Sequence, residues 1–391
     1  MKTYADLKLP VRTLLGAGPS DVDPRVLRVM ATPVIGFFDP EFLAIMDETM
    51  ELTRFVFQTE NEFTFTLPAT GTGGMETALA NMIEPGDRMV VCVNGFFGAR
   101  MTEMVKRLKG ELVTVEAPWG QVVDPADVER ALKGGKTRVV AIVHAETSTG
   151  ILQPLEEIAR LAKEHGALLL VDAVTSLGGV EVNVDKRGID ICYSGSQKCL
   201  GAPPGMSLIT LNSRAQKALA SRKTEVHSWY LDLGLIQRYW AKERFYHHTA
   251  PASLIYAMRE SLRLVYEEGL EARFARHELN STALKAGLEA MGLKLFAEAG
   301  HRNPTLTTIA VPDGVNDANM RGKLLKEYNI EISGGLGQLK GKIWRIGLMG
   351  NSSKKRNVID VLAALEGALR SEGLKAPSGA GIAAAEQAYK G

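Results

Sequence analysis

Between residues 88 and 212 the chain alternates short, nearly continuous apolar runs with longer stretches whose apolar residues recur at helical spacing. The apolar runs are RMVVCVN (88–94), ELVTVEA (111–117), RVVAIVHA (138–145), ALLLVDAV (167–174), IDICYS (189–194) and MSLITLN (206–212). Each is too short for a core helix and most are rich in β-branched residues, so each predicts a buried strand. Between them, GARMTEMVKRLKG, DPADVERALKGG and PLEEIARLAKEHG carry amphipathic helical patterns that end in glycine. Apolar strands without polar alternation, separated by helices, predict a mainly parallel sheet covered on both faces. The fold class is α/β.

After about residue 250 the texture changes. The stretch LIYAMRESLRLVYEEGLEARFARHELNSTALKAGLEAMG reads as one long helix. Shorter strand patterns follow (LKLFAE, LTTIAVP, IWRIGL), then a closing helix, VIDVLAALEGALRSEG. The expected division is an N-terminal arm at 1–20, a large domain at 21–255 and a smaller C-terminal α+β domain at 256–376. The Ala/Gly-rich segment 377–391 reads as a flexible tail.

Composition narrows the function classes. A chain of 391 residues can hold two domains, and 45% hydrophobic with 23% charged residues is an ordinary globular balance. Lys+Arg 46 against Asp+Glu 45 argues against a nucleic-acid binder. Cys92, Cys192 and Cys199 lack metal-type spacing and cannot all pair, which fits a reducing compartment. The N-terminus lacks a signal-peptide core, and no apolar run is long enough to span a bilayer. The expectation is a soluble, cytoplasmic protein with no membrane or nucleic-acid partner.

Chemistry is sought where open α/β sheets bind ligands, at the carboxyl ends of the strands. Asp172 ends the run ALLLV, and Lys198 follows IDICYS within SGSQKCLGAPPG. The segment PATGTGGMETALANM opens a helix with a Gly/Thr-rich turn, whose backbone N–H groups can seat an anion. Taken singly, each feature has an ordinary explanation: a turn, a helix cap, a solvated amine. Together they meet the needs of pyridoxal phosphate: a lysine for a Schiff base, an acid beside the pyridine nitrogen and a phosphate seat.

Competing motifs fail in detail. GTGGME lacks the third glycine of a dinucleotide fingerprint, and no GK[ST] follows it. Tyr193 and Lys198 are one residue too far apart for a dehydrogenase Tyr-x-x-x-Lys pair. His247 and His248 are adjacent, so their side chains are expected to diverge and make a poor metal site. No metal is expected.

VDAVTSLGG followed by YSGSQKCLGAPPG resembles the cofactor-lysine signature of class V aminotransferases, the fold type I group that uses pyridoxal phosphate. LLGAGPS, FQTENEF, HAETSTGILQPLEEI, RFYHHTAP and GGLGQLKGKIWRIGLMG occur in the order of the alanine–glyoxylate/serine–pyruvate subgroup, so the resemblance spans residues 10–370. It implies that Lys198 is the Schiff-base lysine and proton shuttle, with Asp172 at the pyridine nitrogen. Val174 and Phe97 would cover the two ring faces; animal relatives commonly carry tryptophan at the latter position. Thr147 would lie near the ring oxygen, and Gly71, Thr72 and Gln197 at the phosphate. The family often has histidine where this chain has Thr72. Tyr246 and Thr249, in YHHT, would reach the phosphate from the partner subunit of a homodimer, and Arg345 would hold the substrate carboxylate.

The implied activity is transamination between a small L-amino acid, alanine or serine, and glyoxylate or pyruvate, with ping-pong kinetics. A ureidoglycine–glyoxylate aminotransferase is the nearest alternative; it should present amide side chains to the ureido group, whereas Phe37 and Ser253 occupy the positions to inspect. A fold relative that binds ligand without catalysis is the alternative from another class.

Overall fold

The computed structural model describes residues 2–374 and 377–391. Its largest sheet has seven strands: β1 (Thr64–Leu67), β2 (Arg88–Val93), β3 (Glu111–Glu116), β4 (Val139–Val143), β5 (Leu168–Asp172), β6 (Ile191–Gly195) and β7 (Ser207–Leu211). Their order across the sheet is β1-β7-β6-β5-β4-β2-β3. All neighbours run parallel except β7, which is antiparallel to both β1 and β6. Six of these strands lie in the apolar runs singled out above. The seventh, β1, is a TFTL segment whose alternating threonines gave no continuous apolar signal, although all four residues are buried.

Helices cover the sheet through narrow apolar faces. Glu156–Glu164, for example, buries Ile158, Leu161 and Ala162 and turns its charged residues outward. Two helices matter most for the site. Helix α1 (Gly71–Met82) follows β1, and α2 (Phe96–Arg107) follows β2.

The expected long helix is two helices, α3 (Ala252–Glu268) and α4 (Leu270–Ala290), broken at Gly269. Gly269 has φ +80, a conformation that glycine adopts without strain and that stops the helix. Helix α3 contributes Ile255, Met258, Leu262 and Val265 to the core of the large sheet, so a division at 255/256 would cut through a packed helix. The second core contains Ala283, Leu284 and Leu288 of α4, together with residues from further along the chain. We propose that the division falls at Gly269.

That second core is built on a three-stranded antiparallel sheet of β8 (Leu306–Ala310), β9 (Ser333–Gly334) and β10 (Ile343–Gly347). The LKLFAE run is not a strand there and makes only an isolated bridge, Leu295 to Ile309. Helix α5 (Lys355–Ser371) covers the sheet. The N-terminal segment is tied in as well. Thr13–Leu14 pairs in parallel with Ile330–Glu331, and Leu15 is buried in this second core.

The expectation of a flexible tail at 377–391 is corrected. Residues Ala380–Ala388 form a further helix, α6, which packs against α4. Small residues permit the close approach: a Cβ at Gly287 would lie 2.8 Å from the Gly381 carbonyl oxygen. Polar contacts fasten the end, with the Tyr389 hydroxyl donating to Asn280 Oδ1 at 2.6 Å and Lys355 pairing with Glu386 at 2.8 Å. The boundary at 376 lies outside the described residues.

Candidate active site

The carboxyl ends of β4, β5 and β6 meet the starts of α1 and α2 around one cavity of about 80 Å³. Lys198, Asp172, Val174 and Gln197 line it from the strand ends, and Gly71, Thr72, Phe97 and Thr147 complete the wall. Eight of the eleven residues expected at the site therefore share one space. Arg345 stands just behind it, with Nη1 donating to the Thr147 carbonyl oxygen at 3.1 Å. Tyr246 and Thr249 are not brought there by their own chain. Tyr246 is 58% exposed, and its hydroxyl lies 3.1 Å from Thr249 Oγ1.

Lys198 is buried on a turn just beyond β6. Its Nζ donates to the Ala17 carbonyl oxygen, which holds the amine at the cavity. Two further contacts hold the backbone: Ser20 Oγ donates to Lys198 O at 2.8 Å, and Arg273 donates to Cys199 O at 2.6 Å. Burial, and then the Arg345 cation, pull the Lys198 amine down to about 8. Gly18 is required beside it: φ is +101, and a Cβ would lie 2.7 Å from Lys198 Nζ.

Asp172 ends β5 and is buried. Burial pushes its carboxyl up to about 6, against two donors that favour the charged form. These are the Tyr193 hydroxyl, 2.7 Å from Oδ2, and the Val174 N–H, 2.8 Å from Oδ1. Tyr193 thus serves the carboxylate rather than the lysine. Its role follows from strand register, which places it beside Asp172, and that pairing could not be read from spacing alone.

Glu146, in HAETSTG, was not among the expected site residues. Fully buried, it accepts from Phe97 N at 3.0 Å and Gly98 N at 3.2 Å through Oε2. Its Oε1 accepts from Ser148 N at 3.0 Å and Ser148 Oγ at 2.7 Å. Helix α2 has no side-chain cap of its own, so Glu146 takes that part from another loop and fixes the backbone of Phe97. The sequence signal is Gly95: a Cβ there would lie 2.3 Å from Glu146 Cγ.

Helix α1 opens with no side-chain cap on Thr70, which leaves first-turn N–H groups for an anion. A Cβ at Gly71 would sit 3.2 Å from Val174, so glycine lets the helix start close to the strand end. Gln197 carries a buried amide oxygen with no partner, and turning the amide presents N–H groups to the same space. Arg345, buried in β10, donates from Nε to Gly334 O at 2.7 Å. No carboxylate forms an ion pair with it among the described residues. Burial lowers its guanidinium to about 10, opposed by the charge of Glu146. The expected divergence of His247 and His248 is not seen: their Nδ1 atoms lie 2.8 Å apart, so only one can carry the proton between them.

An amine of lowered basicity, a buried acid, an anion seat and an orphan amide fit the donor set that pyridoxal phosphate requires. Among the described residues no cluster of His, Cys, Asp and Glu could hold a metal, and no helix is long and apolar enough to cross a membrane.

Known proteins share this architecture. The family model for class V aminotransferases matches residues 35–344. An (S)-ureidoglycine–glyoxylate transaminase of Bacillus subtilis is 42% identical over 408 residues, spanning 100% of this chain and 98% of its own. A crystal structure of ureidoglycine–glyoxylate aminotransferase from that organism aligns with a TM-score of 0.97 at 44% identity, over 99% of this chain and 100% of the other. Alanine–glyoxylate aminotransferase of Rattus norvegicus is 42% identical over 368 residues, 93% of this chain and 89% of its own. The crystal structure of an alanine–glyoxylate aminotransferase from Nostoc sp. aligns with a TM-score of 0.93 at 48% identity, over 94% and 98% of the two chains. The chain belongs to the class V aminotransferases, pyridoxal-phosphate-dependent enzymes of fold type I.

Proposed function

We propose that this aminotransferase passes the amino group of a small L-amino acid, alanine or serine, to glyoxylate or pyruvate. The observation that carries the reading is Arg345, a buried guanidinium with two carbonyl contacts and no carboxylate partner among the described residues. A planar fork of N–H groups matches a substrate carboxylate. One such cation suits monocarboxylic substrates, because a second buried carboxylate would need its own partner.

When bound, pyridoxal phosphate supplies an electron sink for the charge left on the substrate's α-carbon. Asp172 would face the pyridine nitrogen, Phe97 and Val174 the ring faces, and Gly71, Thr72 and Gln197 the phosphate. Thr147 would lie beside the ring oxygen. Lys198 Nζ would hold the cofactor's aldehyde carbon and, once released, carry the proton to and from the substrate. Its lowered basicity supports both tasks near neutral pH. Tyr246 and Thr249 would complete the phosphate seat of a second copy. The exposure of Trp229, Phe245 and Tyr246 on that side supports a homodimer.

Ureidoglycine as donor is the second reading. It is favoured by the Bacillus subtilis relative, which spans the whole chain. Against it, the cavity wall offers one amide, Gln197, and that is already assigned to the phosphate. A buried ureido group without partners would bind poorly. Both readings share glyoxylate as acceptor. The test is a matrix of alanine, serine and (S)-ureidoglycine against glyoxylate, pyruvate and 2-oxoglutarate. Turnover of alanine or serine with glyoxylate or pyruvate supports the first reading, and preference for ureidoglycine replaces it with the second.

A further inference from the structure

Helix α2 places Phe97 and Arg100 three residues apart, hence on one face. The guanidinium carbon of Arg100 lies 4.8 Å from the Phe97 ring centroid and 5.3 Å from that of Phe96. Its Nη1 donates to Thr72 Oγ1 at 2.8 Å, the only acceptor of Arg100 among the described residues. Thr72 is the second residue of α1, at the turn whose N–H groups lack a side-chain cap. Arg100 therefore spans from the ring wall of the cavity to its anion seat, with donors to spare.

The seat needs such a group. Gly71, Thr72 and Gln197 are neutral, whereas a phosphate ester carries roughly −1.5 to −2 charges at neutral pH. Backbone N–H groups and the α1 dipole stabilise part of that charge. We infer that Arg100 is a further phosphate-binding residue, supplying the positive charge that the neutral Thr72 does not. The hydroxyl and the aromatic faces fix its direction, and the phosphate takes the remaining N–H groups. This rests on the reading of the cavity as the pyridoxal phosphate seat.

The test compares affinities for pyridoxal phosphate and pyridoxal, which lacks the phosphate, in cofactor-free wild type, Arg100→Gln and Arg100→Lys, followed by absorbance. Arg100→Gln should weaken pyridoxal phosphate about tenfold or more and leave pyridoxal within about twofold, since a charge-assisted hydrogen bond is lost only for the former. Arg100→Lys should recover part of the loss. Equal weakening of both ligands would overturn the inference, because Arg100 would then act only through the Phe97 ring. Unchanged pyridoxal phosphate affinity would overturn it as well. If wild type itself bound the two ligands equally, the seat reading would fall instead.

Discussion

The Tyr193 hydroxyl donates to Asp172 Oδ2 at 2.7 Å, between register partners on adjacent parallel strands. The carboxylate is buried, and its nearest charges include another buried acid, Glu146, which adds to the upward shift. Its folded value of about 6 stands above the ordinary 3.8, so this group's contribution to stability is present at low pH and lost as pH rises through about 6. Cofactor-free Asp172→Asn should therefore be more stable than wild type above that pH, by at most about 3 kcal/mol, with the gap narrowing as pH falls from about 6 to the ordinary 3.8 and closing below it. Urea unfolding above pH 6 and below about pH 3.8 checks this. The same variant should lose transamination by about 100-fold or more, because the ring nitrogen has lost its acid partner.

For Lys198 the sign is opposite. Its folded value of about 8 lies below the usual 10.5, so the neutral, nucleophilic amine is available from about pH 8 upward. The rate at which cofactor-free protein captures pyridoxal phosphate should rise through that pH. Arg345→Gln removes a cation that lowers the amine's value, and should move the rise to higher pH. An unmoved profile would show that Arg345 does not act on Lys198.

Glu146→Gln places an amide where four donors converge. At least one buried N–H would lose its acceptor, at a cost of about 1–3 kcal/mol. Expected are a lower melting temperature and a weaker near-ultraviolet circular dichroism of the bound cofactor, as Phe97 loses its anchor. Glu146→Asp keeps the charge but shortens the reach, and should restore neither. Wild-type dichroism in both variants would remove Glu146 from the site.

Much of this was legible in the chain. Five of the six apolar runs became strands buried on both faces of the sheet, which leaves them little polar alternation to confuse the pattern, while ELVTVEA is the more exposed edge strand. β1 was hidden by its threonines: the Thr64 hydroxyl finds a partner inside in Thr210 at 2.7 Å, while that of Thr66 is buried without one among the described residues. Lys198 and Asp172 were visible from their places at strand ends. Glu146 and Tyr193 were not, because their roles come from register and from a loop that caps a distant helix. The tail misled through its alanines and glycines, which pack tightly rather than lie loose.

Exchange between subunits tests the placement of Tyr246 and Thr249. Lys198→Ala and the double variant Tyr246→Phe, Thr249→Ala should each have little activity alone. Mixed and reassociated in equal amounts, they should regain about a quarter of wild-type activity, because half the dimers carry one intact site. No recovery would place both residues in the site of their own chain or outside it altogether.

The most direct measurement of the central claim is borohydride reduction of protein loaded with pyridoxal phosphate, followed by peptide mapping. The label should fall on Lys198, within SGSQKCLGAPPG, and be absent in Lys198→Ala. A label on another lysine, such as the half-buried Lys285 of α4, would contradict the account.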